Sequence, residues 1–201
     1  EPLVDSLLAP IAEAAAIARL GLHGATPSET RERALALFAA HPQRRVRHAA
    51  CQHLGRPLYK ADRAVFKTLL AAASDPALDL LLRSCAAREA GHVATARDLK
   101  VLIGLLDTVE LQQPTIVGLL RGLGTPKAIA AYVRWFDRHA TQPDKIHWTA
   151  LHVFLPWDTE LARMPREPTI KALRSIAAHR GHTGQIRTLA IKGLSRLKAE
   201  G

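Results

Sequence analysis

Three arginines in this chain stand at the same distance from a residue that closes a helical pattern. Arg47, Arg83 and Arg187 each lie seven residues before Leu54, Ala90 and Leu194, respectively. A guanidinium group is planar and offers several donors, which suits it to phosphate oxygens. If the three helices lie side by side, these arginines would form a ladder that grips a polyanion.

Two further arginines occupy a position that helix electrostatics disfavours. Arg44 and Arg45 fall in the first turn of a helix predicted over 43–54, where the macrodipole repels cations. Because this placement is locally unfavourable, both residues are good candidates for selected binding. We therefore predict a binding surface that includes them. Its other predicted members are His48, Arg121, Lys145, Trp148 and Trp157, together with the three arginines of the ladder.

Three tryptophans lie near acidic residues in the fourth part of the chain. Trp135, Trp148 and Trp157 are accompanied by Asp137 and Asp158. Aromatic rings beside charged groups can stack on an extruded nucleobase and hold it for chemistry. On this hypothesis Asp137 and Asp158 are the catalytic candidates. The alternative is that Trp135 and Trp148 pack between the two helices of one unit.

The histidines and cysteines do not form a metal or nucleophile motif. His48 and His53 are five residues apart, a spacing that is poor for sharing one helix face. Cys51 and Cys85 each fall inside a helical pattern, where a buried, inert thiol is expected. The chain has no phosphate-binding glycine loop and no nucleophile elbow. We therefore expect neither a metal nor a cofactor.

The composition indicates a helical and strongly basic polypeptide. Of 201 residues, 48% are hydrophobic but only 4% are aromatic, so the core must be built from Ala, Leu, Ile and Val. Alternating β-branched runs are few, and we predict an all-α fold. The net charge of +10 would attract nucleic acid, an acidic protein or an anionic membrane surface. No apolar run is long enough for a membrane span, and we expect a cytoplasmic protein.

The positive charge is concentrated towards the C-terminal end. Nine Lys and Arg residues between Arg163 and Gly201 are opposed by Glu167 and Glu200. An anion-binding end and a solvated capping helix with a basic face both account for this surplus.

A two-helix pattern recurs along the chain. Its closing positions are Leu20, Leu54, Ala90, Leu123, Leu155 and Leu194, at intervals of 32 to 39 residues. The pattern predicts one domain, 1–201, with an N-terminal partial repeat and about five helix pairs. The units are placed at about 1–24, 26–55, 60–91, 96–124, 126–156 and 168–199. Thr26 and Glu29 mark the start of a helix over 27–40, and a glycine such as Gly91 is expected to stop a helix.

The best-formed unit has an apolar first helix, an Asp75–Pro76 turn, the pair Leu82–Arg83, then Ala86 and Gly91. With these features the chain resembles the HEAT-repeat family of α-solenoids, over about residues 12–198. The resemblance implies a right-handed α-solenoid of antiparallel helix pairs. It also implies that the repeated arginine more often pairs with a turn carboxylate or caps carbonyls than binds a ligand.

In HEAT-like folds the second helix of each pair usually lines the concave, partner-binding side. The resemblance therefore implies a scaffold or binding module that uses 43–54, 77–90, 111–123, 144–155 and 185–198. Because the resemblance favours protein binding over DNA binding, a protein partner is the leading expectation. One alternative is a solenoid that binds nucleic acid, with an alkylated-base DNA glycosylase as its enzymatic form. Another is an internal spacer that has no ligand of its own.

Overall fold

The computed structural model describes residues 26–139, 166–181 and 183–199. Within these ranges the chain is helical and contains no β-strand, which confirms the predicted all-α class. The described α-helices are α1 (Pro27–Ala40), α2 (Arg44–Leu54), α3 (Arg63–Ser74), α4 (Leu80–Val93), α5 (Leu99–Leu105), α6 (Gln112–Gly122), α7 (Pro126–His139), α8 (Arg166–Ala178) and α9 (Gly184–Ala199). Short 3-10 helices at Pro57–Tyr59, Ala96–Asp98 and Val109–Leu111 precede α3, α5 and α6. None of the described helices is both long enough and apolar enough to cross a bilayer.

Side-chain caps set the residues at which α1, α3 and α4 begin. Thr26 and Glu29 form a reciprocal capping box at the start of α1. Asp62 and Asp79 each accept two backbone N–H groups in the first turn of α3 and of α4. A cap of this kind stabilises a helix by about 1 kcal/mol. The polar residue before each of these helices therefore fixes its first turn.

Helices that follow one another pack together, and so do alternate ones. α1 packs on α2, α3 on α4, and α8 on α9. In addition α2 packs on α4 and α4 on α6, and the α4–α6 contact is the most extensive between any two described helices. The described core runs from Ala34 to Leu197 and consists mainly of aliphatic side chains. We refer to α2, α4 and α6 as the alternate helices.

Three glycines let α4 and α6 approach each other closely. A Cβ added to Gly91 would lie 2.3 Å from the carbonyl carbon of Gly118. One added to Gly118 would lie 2.1 Å from the backbone oxygen of Arg88, and one added to Gly122 would lie 2.0 Å from that of Gly91. Because these neighbours are backbone atoms, no side chain can move aside to make room. We refer to Gly91, Gly118 and Gly122 as the glycine seam.

Gly91 does not stop its helix, so that sequence prediction is wrong. α4 continues to Val93, and Gly91 is buried inside it against α6. A glycine is needed there because another backbone lies close by. Gly124, in contrast, follows α6 with φ of +53°, the left-handed conformation that suits glycine just past a helix. Gly55 has φ of −80° and leaves space for Glu89, whose Oε2 would lie 1.9 Å from an added Cβ.

Other predicted helix boundaries shift for local reasons. The pattern predicts one helix over 77–90. In the structure Asp75 accepts a hydrogen bond from the Ala77 N–H and holds a turn there, and α4 begins only after Asp79, which caps it. The pattern also predicts 96–108 as one helix, whereas a capping box between Thr95 and Asp98 holds the first turn as a 3-10 helix before α5. The helices predicted at 27–40 and 126–139 are found with those bounds.

Several predictions lie outside the described residues. These are the N-terminal partial repeat and the helix predicted at 144–155. Four predicted site residues lie there as well, namely Lys145, Trp148, Trp157 and Asp158. Asp137 belongs to α7, but its side chain is also outside the described part of the chain.

Candidate functional site

The three arginines of the predicted ladder make one shared type of hydrogen bond. The Nε atoms of Arg47, Arg83 and Arg187 donate to the carbonyl oxygens of Phe38, Ala73 and Ala177, at 2.8, 3.2 and 3.1 Å. Each carbonyl belongs to the last turn of the preceding helix, where backbone oxygens have no partner within that helix. The arginines therefore cap α1, α3 and α8 and join each of these helices to the next one.

Replacing Arg83 by methionine is expected to lower the free energy of unfolding by about 1 kcal/mol, the net value of one such hydrogen bond. Methionine keeps an aliphatic stem of similar length and removes the donor to the Ala73 carbonyl. Urea unfolding followed by circular dichroism measures the loss. The control is Lys67→Met on the exposed side of α3, with an expected change below about 0.5 kcal/mol. Equal losses in the two variants would contradict the capping role.

The first turn of α2 is basic and has no side-chain cap. Gln43 stands at the N-cap without a capping hydrogen bond, and the turn contains no acidic residue. Arg44 and Arg45 are both exposed, and Arg44 lies 3.9 Å from Asp79 at the start of α4. The helix dipole and the two guanidinium groups contribute positive potential at the same place. The described geometry thus keeps both arginines available to an anionic ligand.

Each of the alternate helices has a row of exposed and half-exposed side chains at equivalent positions of the repeat. The members of these rows are Arg45, His48 and Gln52 on α2; Leu81, Ser84 and Arg88 on α4; and Pro114, Val117 and Arg121 on α6. Within each helix they follow the three- and four-residue spacing of a single helical side. Equivalent members are 36 residues apart between α2 and α4, and 33 apart between α4 and α6. We refer to these nine residues as the alternate-helix face.

The alternate-helix face includes three of the predicted binding residues, Arg45, His48 and Arg121, and also contains Arg88. It also has an aliphatic part, since Leu81 and the adjacent Leu80 are each 48% exposed. A surface of this kind suits a ligand that carries both negative charge and apolar groups.

A buried carboxylate holds one of these cations in place. Glu89 is 5% exposed, and its Oε1 accepts a hydrogen bond from Arg88 Nε at 2.8 Å. Its Oε2 lies 2.8 Å from Nδ1 of His92. A buried charge requires such partners, because removing them would leave it uncompensated. Glu89 therefore fixes the direction of the Arg88 side chain from below the alternate-helix face.

The structure also brings the two cysteines together. Cys51 of α2 and Cys85 of α4 are 0% and 3% exposed, and each thiol is close enough to shift the pKa of the other. Burial, followed by the contact with Cys85, raises the pKa of the Cys51 thiol. The hydrogen bond from Cys51, with a further one from His48, lowers the pKa of Cys85. In addition, Nη2 of Arg88 lies 3.9 Å from Cys85 Sγ.

The helical pattern around each cysteine predicts its burial but not that the two cysteines are neighbours. The sequence does contain an indication that the two cysteines are neighbours, because they are 34 residues apart and the repeat interval at that point is 36. Residues spaced by about one repeat fall at similar heights on neighbouring helices. The expected burial of both thiols is confirmed, but the pKa of Cys85 is not that of an isolated buried thiol.

The aromatic side chains of α7 belong to the core. Tyr132 and Trp135 are 0% and 2% exposed, and the indole Nε1 of Trp135 donates to Asp107 at 3.0 Å. The Trp135 ring also stacks on His139, with ring centroids 4.8 Å apart. A ring covered in this way is not placed to stack on an extruded base. For Trp135, the packing alternative from the sequence is therefore the one found.

The described C-terminal end is basic at its surface. Its exposed cations are Arg166, Lys171, Arg174, Arg180, Arg187, Lys192 and Arg196. Among them, Arg187 caps α8 and Arg166 donates to the Leu197 carbonyl at 2.6 Å. A cavity of about 630 Å³ lies between α7 and α8, and Lys171 lines it together with apolar side chains such as Ile129 and Val133.

In the ranges that the structure covers, no three or more His, Cys, Asp or Glu side chains are grouped so as to hold a metal ion. Comparisons with family models, curated proteins and solved structures gave no match to this chain. Its function has to be inferred from its own residues.

Proposed function

We propose that this chain is a HEAT-like repeat module that binds an acidic, partly apolar segment of a partner protein. Three features support a stacked repeat architecture. α2 packs on α4 and α4 on α6, the face residues of these helices recur at intervals of 36 and then 33 residues, and equivalent arginines cap α1 and α3. Units stacked in this way cover one another's apolar sides. Continued along the chain, the stack is the right-handed α-solenoid of antiparallel pairs that the resemblance implies.

The observation that carries the proposed function is the mixture of cations and aliphatic side chains on the alternate-helix face. Arg45, Arg88 and Arg121 are the guanidinium groups of this face, and Glu89, the carboxylate that Arg88 contacts, is buried and already bonded. Arg44 extends this charge to the uncapped start of α2. Positive potential of this kind steers acidic partners into contact and selects against basic ones.

The aliphatic members favour protein over nucleic acid as the partner. Leu80 and Leu81 expose nearly half of their surface beside the start of α2, and Pro114 and Val117 continue an apolar row on α6. A phosphate backbone offers nothing that would bury these side chains, whereas an acidic segment with intervening leucines does. Removal of that apolar surface from water contributes about 25 cal/mol per Å².

The Arg44→Glu, Arg45→Glu double variant is expected to weaken binding of a fluorescent peptide of alternating Glu and Leu by roughly tenfold or more, measured by anisotropy. The reason is that like charges then meet at the start of α2. Thermal stability should stay nearly unchanged, because the single exposed contact from Arg44 to Asp79 is weak and acidic residues suit a first turn.

The control for that variant is Lys67→Glu with Lys100→Glu, which changes the net charge equally on exposed positions of α3 and α5. It should keep most of the affinity if the location of the charge matters. Unchanged affinity in the Arg44 and Arg45 variant would remove the start of α2 from the binding surface. A wild-type chain that binds neither the peptide nor nucleic acid would point to the spacer alternative.

Nucleic acid remains the second candidate because of the exposed cations on α8 and α9. A complex with an acidic peptide and a complex with DNA are expected to respond differently to Leu81→Ser and to salt. Leu81→Ser should weaken the peptide complex and leave the affinity for single-stranded DNA unchanged. Binding of DNA falls steeply as salt rises, in proportion to the number of phosphates contacted. Tight DNA binding with that slope, together with an inert peptide, would overturn the protein proposal.

A further inference from the structure

The buried cysteine pair is a feature that the proposed function does not use. Cys51 lies on α2 and Cys85 on α4, and these helices pack directly against each other. Both cysteines are free and belong to one buried core cluster, and each thiol shifts the pKa of the other. A disulfide needs Cα atoms about 4.4 to 6.8 Å apart, a separation that two directly packed helices can provide.

Groups that favour a thiolate surround Cys85. Arg88 lies one turn further along α4 with Nη2 3.9 Å from the sulfur, and His48 of α2 lowers the pKa of the same thiol through hydrogen bonding and its charge. Glu89 opposes them, but its Oε1 is bonded to Arg88. The contact with Cys51 is the largest of the effects that lower the pKa of Cys85. Since the thiolate is the nucleophilic form, Cys85 is the reactive member of the pair.

We propose that Cys85 and Cys51 form a dithiol that responds to peroxide. Hydrogen peroxide oxidises Cys85 first, and Cys51 then forms a disulfide with it that links α2 to α4. In the first step the Cys85 thiolate attacks one peroxide oxygen and the O–O bond breaks. Cys85 becomes a sulfenic acid, and the other oxygen departs as hydroxide, which takes up a proton to become water. In the second step the Cys51 sulfur attacks the Cys85 sulfur, and the S–O bond breaks. The Cys51 proton leaves with that oxygen as water. Two thiols lose two electrons, and the peroxide becomes two molecules of water.

The position of the pair gives the disulfide a structural consequence. His48 and Arg88, the groups that contact Cys85, are half-exposed members of the alternate-helix face. In this proposal the oxidant approaches Cys85 from that face. Once formed, the bond ties α2 covalently to α4 directly beneath the face and removes the thiolate that His48 and Arg88 surround. Because it crosslinks the folded chain, oxidation should also raise the urea midpoint of unfolding.

The test treats the folded, full chain with hydrogen peroxide and measures its intact mass without reductant. The expected product has lost two hydrogen atoms, carries no added oxygen, and gives a peptide that links Cys51 to Cys85. Cys51→Ser should stop at a Cys85 sulfenic acid, which dimedone traps. Cys85→Ser should slow the first oxidation by roughly tenfold or more. Circular dichroism shows that each variant is folded before it is oxidised.

A second measurement needs no variant. The alkylation rate of Cys85 by iodoacetamide in the wild-type chain should reach its plateau at a pH below the ordinary thiol range. The groups that set this profile are Cys51, His48, Arg88 and Glu89. The proposal is overturned if both thiols survive peroxide in the folded chain while they oxidise in urea. It is equally overturned if Cys85→Ser oxidises as fast as Cys51→Ser.

Discussion

Replacing Gly118 by alanine is expected to lower the free energy of unfolding by about 3 kcal/mol or more. The added methyl carbon would lie 2.1 Å from the backbone oxygen of Arg88 and 2.8 Å from its carbonyl carbon. Nonbonded atoms do not approach this closely, so α4 and α6 would have to move apart. That movement opens the most extensive helix contact of the described residues. Urea unfolding followed by circular dichroism measures the loss.

Gly104→Ala is the matched control for this prediction. Gly104 also lies inside a helix, α5, but a Cβ added there meets nothing within 4 Å. Since alanine has the higher helix propensity, this variant should gain up to about 1 kcal/mol. The same chemical change is therefore expected to have opposite signs at the two sites. Equal stability of the wild type and Gly118→Ala would show that α4 and α6 do not make the close contact described above.

The helix starts could be predicted from the sequence because they depend on residues that are neighbours in the chain. Thr26 and Glu29 mark the start of α1, and the structure shows their capping box. The glycine seam could not be predicted in this way. Gly91 stands where a helix stop was expected, and its role depends on the backbone of Gly118, which lies on another helix. A local pattern has no information about such an approach.

For the candidate site, the repeat register shows which residues occupy equivalent positions, but it does not show what their side chains contact. It identified Arg47, Arg83 and Arg187 as equivalent, and all three make the same contact. It left open whether they contact a ligand or a carbonyl, because that depends on the position of the preceding helix. The pairing of Cys51 with Cys85 likewise depends on how α2 and α4 are rotated against each other. The all-α class needed none of this, since composition and periodicity determine it.

Truncating Trp135 to alanine is expected to lower the free energy of unfolding by about 3 to 5 kcal/mol. The ring is 2% exposed between Tyr132 and His139, so its removal leaves a cavity that the surrounding helices fill incompletely. The variant also loses the hydrogen bond from the indole to Asp107. Urea unfolding measures the combined loss. Asp107→Ala removes only the acceptor, and because that carboxylate is 66% exposed its expected loss is below about 1 kcal/mol.

Trp135→Phe separates packing from base recognition. Phenylalanine keeps most of the buried ring and has no indole donor, so the expected loss is about 1 to 2 kcal/mol, well below that of alanine. A residue that only packs in the core should leave the affinity for single-stranded DNA unchanged in this folded variant. A stacking platform would instead lose about 1 to 3 kcal/mol of binding for each base no longer stacked, when the ring is truncated. If Trp135→Ala stays as stable as the wild type but loses DNA affinity, Trp135 recognises bases, and the proposal of an acidic protein partner gives way to nucleic acid.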